Sequence, residues 1–197
     1  MKLQDSLPDG VQVGRRFYRL DFDFRNVLKM MEILGRDDLI PEAREYLALK
    51  CLTKHPRNVP AVLQKVRETL FQTPPKKSGK KVTSFEQDAG LIRSAFRQSY
   101  GIDLFTDKLH WLEFVELLNN IPEGNRYAEV VGIRARPVPA PTKYNKEERE
   151  WLLKAKADVA IRLTEAEAAK KYDEDVKAAF AGIMNFFGLG GENSNGE

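Results

Sequence analysis

Cysteine and histidine are scarce in this sequence, and their scarcity excludes several classes of protein. Cys51 is the single cysteine among 197 residues, so the chain forms no internal disulfide and suits a reducing compartment. The two histidines, His55 and His110, do not lie with Cys51 or with acidic residues at the spacing of a metal site. A disulfide scaffold and a zinc protein are therefore not expected.

Long apolar runs and a large excess of one charge are also missing. No stretch approaches the roughly 20 apolar residues that cross a bilayer, and the opening MKLQDSLPDG lacks the apolar core of a signal peptide. The 32 basic and 29 acidic residues give a net charge of +3, too small an excess to indicate nucleic-acid or membrane binding. We expect a soluble cytoplasmic protein without membrane association.

The composition that remains is that of a globular protein with helical periodicity. Hydrophobic residues make up 42% of the chain and charged residues 31%, which favours a folded core under a polar surface over disorder. The length allows one core or two small ones. The predicted fold class is mainly α: a helical bundle with a short N-terminal β-hairpin and a long C-terminal helix.

The N-terminal segment predicts the hairpin. Val11 and Val13 alternate with polar neighbours, as do Tyr18, Leu20 and Phe22, and Gly14-Arg15 between them suits a tight turn. Two strands alone are marginal in water, so they should pack on a helix.

Helical periods of apolar residues follow the hairpin. Asp23 is the expected N-cap of the first helix, and Pro41 lies in the first turn of the second. The predicted inward faces of the first five helices are Phe24, Val27, Leu28, Met31 and Leu34; Leu47 and Cys51; Val62, Val66 and Leu70; Phe85, Ala89, Ile92, Phe96 and Tyr100; and Trp111, Phe114, Val115 and Leu118. The fourth should begin at Phe85 and the fifth near Asp107, and a shorter sixth helix runs through Val130 and Val131.

Two segments interrupt the helical pattern: one lies within a predicted domain at 1–137, and the other separates that domain from a C-terminal region. Residues 73–84, TPPKKSGKKVTS, predict a flexible lysine-rich loop, and the proline-rich stretch 136–142 predicts extended chain. An amphipathic helix is expected over 143–187, beginning near Asn145, and a disordered tail over 188–197.

Residues for catalysis are hard to find. His55 is expected at the surface, His110 as a hydrogen-bonded structural histidine, and Cys51 as a buried, inert thiol. A nucleophilic Cys51 working with His110 is the alternative. The sequence contains no phosphate-binding glycine loop and no nucleophile elbow. We therefore expect a protein without catalytic residues, metal ligands or a cofactor.

Two segments are candidates for binding other molecules. Lys76, Lys77, Lys80 and Lys81 form a cluster that favours a solvated loop over a nucleic-acid site, because no aromatic residues interleave it. Near the C-terminus a second set lies at helical spacing: Val176, Phe180, Ile183, Phe186 and Phe187. This set either folds back onto the bundle or anchors a partner helix.

The stretch 85–137 carries a recognisable pattern. Its marks are Phe85, Asp88-Ala89, Ala95-Phe96, the run Tyr100-Gly101-Ile102-Asp103-Leu104, Leu109-His110-Trp111, Phe114, Leu117-Leu118, Pro122 and Arg134. With the DSLP start, the hairpin and the entry at Asp23, Phe24 and Arg25, this pattern resembles the bacteriophage gene-product-fifteen family of long-tailed phages. The resemblance covers about residues 1–137, and the helix after 143 looks like an extension. We expect Phe85, Asp88, Phe96, Tyr100, Gly101, Asp103, His110, Trp111 and Phe114 to be structural.

The resemblance implies a tail assembly chaperone, which is not an enzyme and needs no cofactor. Such a protein would bind the tape-measure protein in the cytoplasm of the bacterial host and keep it soluble during tail assembly. The major tail tube protein is a second possible partner, and self-association is left open. The alternatives are a structural virion component, such as a head–tail or tail completion protein, and a nucleic-acid-binding accessory protein.

Overall fold

A computed structural model of the chain describes residues 5–71 and 82–162. The chain separates into two units, residues 1–159 and 160–197, and every strand and helix named here belongs to the first unit. The described residues form the strands β1 (Gly10–Val13) and β2 (Arg16–Arg19), then the helices α1 (Phe24–Leu34), α2 (Pro41–Lys50), α3 (Val59–Leu70), α4 (Ala89–Tyr100), α5 (Trp111–Asn119), α6 (Arg126–Ala135) and α7 (Lys146–Asp158). The predicted mainly α class with an N-terminal hairpin is confirmed.

The hairpin follows the predicted alternation. β1 and β2 pair antiparallel with Val13 opposite Arg16, so the turn consists of two residues, Gly14 and Arg15. Gly14 has φ +58°, a conformation that glycine adopts without steric cost. Val11 is buried, and β1 packs on α3, which provides the helical support that two isolated strands need.

Helix α1 starts as predicted, and Phe24 and Val27 of its predicted inward face are buried, but Met30 is buried in place of Met31. The Asp23 carboxylate accepts a hydrogen bond from the Arg25 N–H at 3.0 Å and caps the helix. Val27 and Met30 are buried, whereas Met31, predicted to face inward, is 38% exposed. Both methionines lie at helical spacing from Val27, so periodicity alone does not separate them.

Helix α2 also has a different inward face from the predicted one. It begins at Pro41 as expected. Ala48, Leu49 and the following Leu52 are buried, whereas Leu47 is 37% exposed and Cys51 is half-buried. The expectation of a buried Cys51 is therefore wrong. Packing of α2 on both α1 and α3 decides which apolar positions turn inward.

Helix α3 agrees with its prediction, but α4 and α5 begin later than expected. Ser84 and Asp88 bracket a turn before α4: the Asp88 carboxylate accepts the Ser84 N–H at 2.8 Å, and the Ser84 hydroxyl accepts the Gln87 N–H. Residues 85–88 therefore form a turn rather than helix. His110 caps α5, so that helix begins at Trp111.

The C-terminal helix is described in part. The helix predicted over 143–187 is observed as α7, which ends at Asp158, and residues 159–162 are not helical. The rest of that prediction lies outside the described residues, as do the tail 188–197 and all but the last three residues of the loop 73–84. Helix α7 packs on α6, where Val130 and Leu152 are buried outside the main core cluster.

Candidate partner-binding groove

The aromatic residues of the 85–114 pattern form the centre of the core. Phe96 and Phe114 are 0% and 1% exposed, and their rings stack with centroids 5.2 Å apart. Phe24 of α1 also stacks on Phe114, with ring centroids 4.7 Å apart. Trp111 and the partly buried Phe85 complete the cluster. Of this cluster, Phe24, Phe85 and Phe114 also line the neighbouring surface groove.

The end of α4 sets the direction of the loop that follows it. Gly101 has φ +70°, the left-handed conformation that commonly ends a helix. The Tyr100 hydroxyl donates a hydrogen bond to the Leu117 carbonyl at 2.9 Å, which ties α4 to α5. The chain therefore leaves α4 in a fixed direction at Gly101.

Two aspartates then fold the loop into a turn. The Asp103 N–H donates to the Asp107 carboxylate at 2.8 Å, and the Phe105 N–H donates to the Asp103 carboxylate at 3.0 Å. The second of these bonds is the main cause of the lowered pKa of Asp103. The Phe105 side chain stands at the tip of this turn and is 68% exposed.

Arg25 fixes this turn to the start of α1. Its guanidinium donates to the carbonyl oxygens of Phe105 at 3.1 Å and Asp107 at 2.9 Å, and also to the Asp23 carboxylate at 2.8 Å. Burial raises the pKa of Asp23, but the hydrogen bonds from Arg25 lower it by more. The exposed phenylalanine is thus carried by a loop with fixed backbone contacts.

An apolar groove opens between α1, α4 and this loop; we call it the Phe105 groove. Its volume is about 240 Å³, below the roughly 300–1,000 Å³ of typical small-molecule pockets. It therefore has room for one or two apolar side chains of a partner. The lining residues are Phe24, Arg25, Leu28, Phe85, Ala89, Ile92, Arg93, Leu104, Phe105 and Phe114.

The charge at this groove comes from Arg93. Its guanidinium carbon lies 4.7 Å from the centre of the Phe105 ring, within the distance of a cation–π contact. Among the described residues no carboxylate pairs with Arg93, whereas Arg25 is paired with Asp23. The lining of the groove therefore combines an apolar floor with one guanidinium, that of Arg93, that has no ion-pair partner among the described residues.

Asp88, at the N-terminal end of α4, and Arg134 of α6 form a buried ion pair. Their side chains are 2% and 11% exposed, and the two guanidinium nitrogens donate to the two carboxylate oxygens at 2.6 and 2.9 Å. Arg134 also donates to the carbonyls of Val82 and Val159. One side chain thus joins α6 to the start of α4 and to the end of α7.

His110 makes hydrogen bonds through both of its ring nitrogens. Its Nδ1 accepts the Leu112 N–H at 3.1 Å, so the hydrogen lies on Nε2, which donates to the Pro8 carbonyl at 3.0 Å. The ring also meets Phe22 edge-on. Nδ1 therefore caps α5, and Nε2 holds the N-terminal segment at Pro8 against the start of that helix.

Reactive groups are dispersed over the described part of the chain. Burial raises the pKa of the Cys51 thiol, which makes it a weaker nucleophile at neutral pH. Residues 5–71 and 82–162 contain no cluster of three or more possible metal ligands. The helices in these two ranges are too short or too polar to span a membrane.

Both predicted binding segments lie outside the described residues. This applies to the lysines Lys76, Lys77, Lys80 and Lys81 and to the partner-binding set Val176, Phe180, Ile183, Phe186 and Phe187. Sequence reasoning missed the Phe105 groove. The available signal was a phenylalanine between two turn-forming aspartates, in the run Asp103-Leu104-Phe105-Thr106-Asp107.

Comparison with known family models identifies a matching family. A family model described as Bacteriophage Gp15 protein matches residues 3–161 of the chain. This match extends beyond residue 137, where the resemblance seen in the sequence ended, and takes in α7. No curated protein and no solved structure matches the chain.

Proposed function

The chain belongs to the Bacteriophage Gp15 protein family, which indicates a phage structural or morphogenesis protein, and from this premise we propose that it is a tail assembly chaperone. In this role it binds the tape-measure protein and keeps it soluble while the tail is built. It acts by holding another chain and catalyses no reaction.

The observation that carries the proposal is the Phe105 groove. A long helical protein such as a tape measure presents repeated apolar side chains that aggregate when uncovered. A shallow groove for one or two such side chains fits a helix that is laid across the surface. Its small volume favours moderate affinity, so that tube subunits can displace the chaperone.

Co-expression tests this function. The tape-measure protein of the same phage, produced alone, is expected to sediment with the insoluble fraction, and co-production of this chain should move it to the supernatant. A Phe105→Ala variant should give less rescue, because it removes the exposed wall of the groove. Ile40→Ala is the matched control, since Ile40 is also 68% exposed but lies at the start of α2.

Two results would contradict the proposal. One is a tape-measure protein whose solubility does not depend on this chain. The other is the presence of the chain as a stoichiometric component of purified virions, which would indicate a structural virion protein. Equal rescue by Phe105→Ala and the wild type would be compatible with the chaperone role but would show that the Phe105 groove does not contribute to it.

A further inference from the structure

We infer that the Phe105 groove selects amphipathic helices with acidic residues beside their apolar stripe, and that Arg93 is the selecting residue. The inference rests on the proposed function, because it specifies the chemistry of the segment that the chaperone holds. It concerns the charge of the partner, which the family match does not address.

The shape of the groove sets the first requirement. Its floor consists of the buried rings of Phe24 and Phe114 and the side chain of Ile92, and its exposed wall is Phe105. The groove volume of about 240 Å³ accommodates one or two apolar side chains. A helix presents such a pair from one face at spacings of three or four residues.

The charges around the groove set the second requirement. Arg25 is paired with Asp23, and Arg97, farther along α4, is paired with Asp103. Arg93 lies one turn before Arg97 and, within the described chain, lacks a carboxylate partner. A glutamate or aspartate next to the anchoring side chain of a bound helix would supply that partner, whereas a lysine there would be repelled.

The same features argue against a nucleic acid as the occupant. An exposed aromatic ring with arginines nearby is also found in single-strand binding sites. Such sites, however, follow the phosphate backbone with several cations, and here a single guanidinium is uncompensated among the described residues that line the groove. The concave apolar floor also fits a side chain better than the flat face of a base.

Designed helical peptides test the inference directly. Three fluorescently labelled peptides would share one leucine stripe and carry flanking glutamates, glutamines or lysines. Fluorescence anisotropy with the full-length protein should give about two- to fivefold tighter binding for the glutamate peptide than for the glutamine peptide, the range of one exposed ion pair. The lysine peptide should bind weakest, and the differences should shrink in high salt.

Charge reversal at Arg93 provides the decisive comparison. Arg93→Glu should lose the preference for the glutamate peptide or invert it. Arg15→Glu makes the same charge change at an exposed position in the hairpin turn and should leave the preference intact. Phe105→Ala should weaken the binding of all three peptides by a similar factor, because all three make the same apolar contact.

The possible failures are distinguishable. Equal binding of the three peptides by the wild type, or an unchanged preference in Arg93→Glu, would overturn the inference. If tape-measure rescue in co-expression persisted in that case, the chaperone function would stand without charge selection. Displacement of the glutamate peptide by a short single-stranded DNA oligonucleotide would instead assign the groove to nucleic acid and would also overturn it.

Discussion

Replacing Arg134 by glutamine is expected to lower the free energy of unfolding by about 3 kcal/mol, the low end for breaking a buried ion pair from one side. The Asp88 carboxylate is 2% exposed and would keep the Ser84 N–H, at 2.8 Å, as a hydrogen-bond donor. Arg134 itself is 11% exposed, which is why we take the low end of the range. For a chain of this size the loss corresponds to a melting temperature lower by roughly 6–12 °C.

The loss should depend on pH in a defined direction. Burial raises the pKa of Asp88, but the hydrogen bonds from Arg134 and the Ser84 N–H lower it by more, so its folded-state pKa lies below the ordinary value. Such a group stabilises the fold above its unfolded pKa of about 3.9, and this contribution is lost as the pH falls through the folded pKa.

The Arg134→Gln variant lacks the guanidinium that lowers the pKa of Asp88. Burial still raises this pKa, so the pKa of Asp88 should be higher in the variant than in the wild type. Acidification would then neutralise a carboxylate that the variant cannot pair. The stability difference between wild type and variant should therefore be largest near neutral pH and shrink below about pH 4.

Urea unfolding of the full chain, followed by far-UV circular dichroism at neutral and acidic pH, measures both effects. Arg36→Gln is the matched control, because Arg36 pairs with Asp38 at the surface, with side chains 52% and 62% exposed. This control should unfold like the wild type. A change below about 1 kcal/mol for Arg134→Gln at neutral pH, or a difference that does not vary with pH, would refute the reasoning.

Further predictions concern the core, a cap, a helix end and the thiol. Phe114→Ala should lower the free energy of unfolding by about 3–5 kcal/mol in urea titrations, because it leaves a cavity under the groove; a loss near zero would contradict its central position. His110→Ala should lower the free energy of unfolding by about 1 kcal/mol, and His110→Asn should lose much less, because asparagine also caps helices. Gly101→Ala should destabilise by about 1–2 kcal/mol because φ is +70°, whereas alanine at the helical Gly90 should not destabilise. Iodoacetamide should alkylate Cys51 more slowly than a free cysteine, since burial raises the pKa of its thiol; equal rates would contradict this.

Features set by neighbouring residues could be predicted from the sequence. The cap at Asp23, the turn at Gly14 and the start of α2 at Pro41 each depend on the chemistry of one or two residues. The left-handed Gly101 at the end of α4 belongs to the same class. Local chemistry decides these features, so the chain around them need not be known.

Features set by packing could not be predicted in the same way. Met30 and Met31 both satisfy the helical period, and the neighbours of α1 decide which one is buried. In the same way, the helical period predicts Leu47 and Cys51 as the inward face at α2, whereas packing buries Ala48 and Leu49. Periodicity identifies a helix more reliably than it identifies the inward face when apolar residues are adjacent.

The candidate site was the least predictable part. Arg25, Arg93 and Phe105 come from α1, α4 and the loop after α4, and no short motif joins them. Asp88 and Arg134 were both noted in the sequence pattern, but their pairing across 46 positions becomes visible only in the fold. Contacts at such separations depend on the complete topology.

The attachment of Arg25 to the loop around Phe105 also has a consequence for biosynthesis. Arg25 and Asp107 are 82 positions apart, a separation that a ribosome covers in about 4–16 seconds at 5–20 residues per second. During that interval the nascent α1 lacks the aromatic partner that later stacks on Phe24. The groove therefore lacks part of its lining until Phe114 has been synthesised, and a shorter nascent chain has no complete groove with which to bind a client.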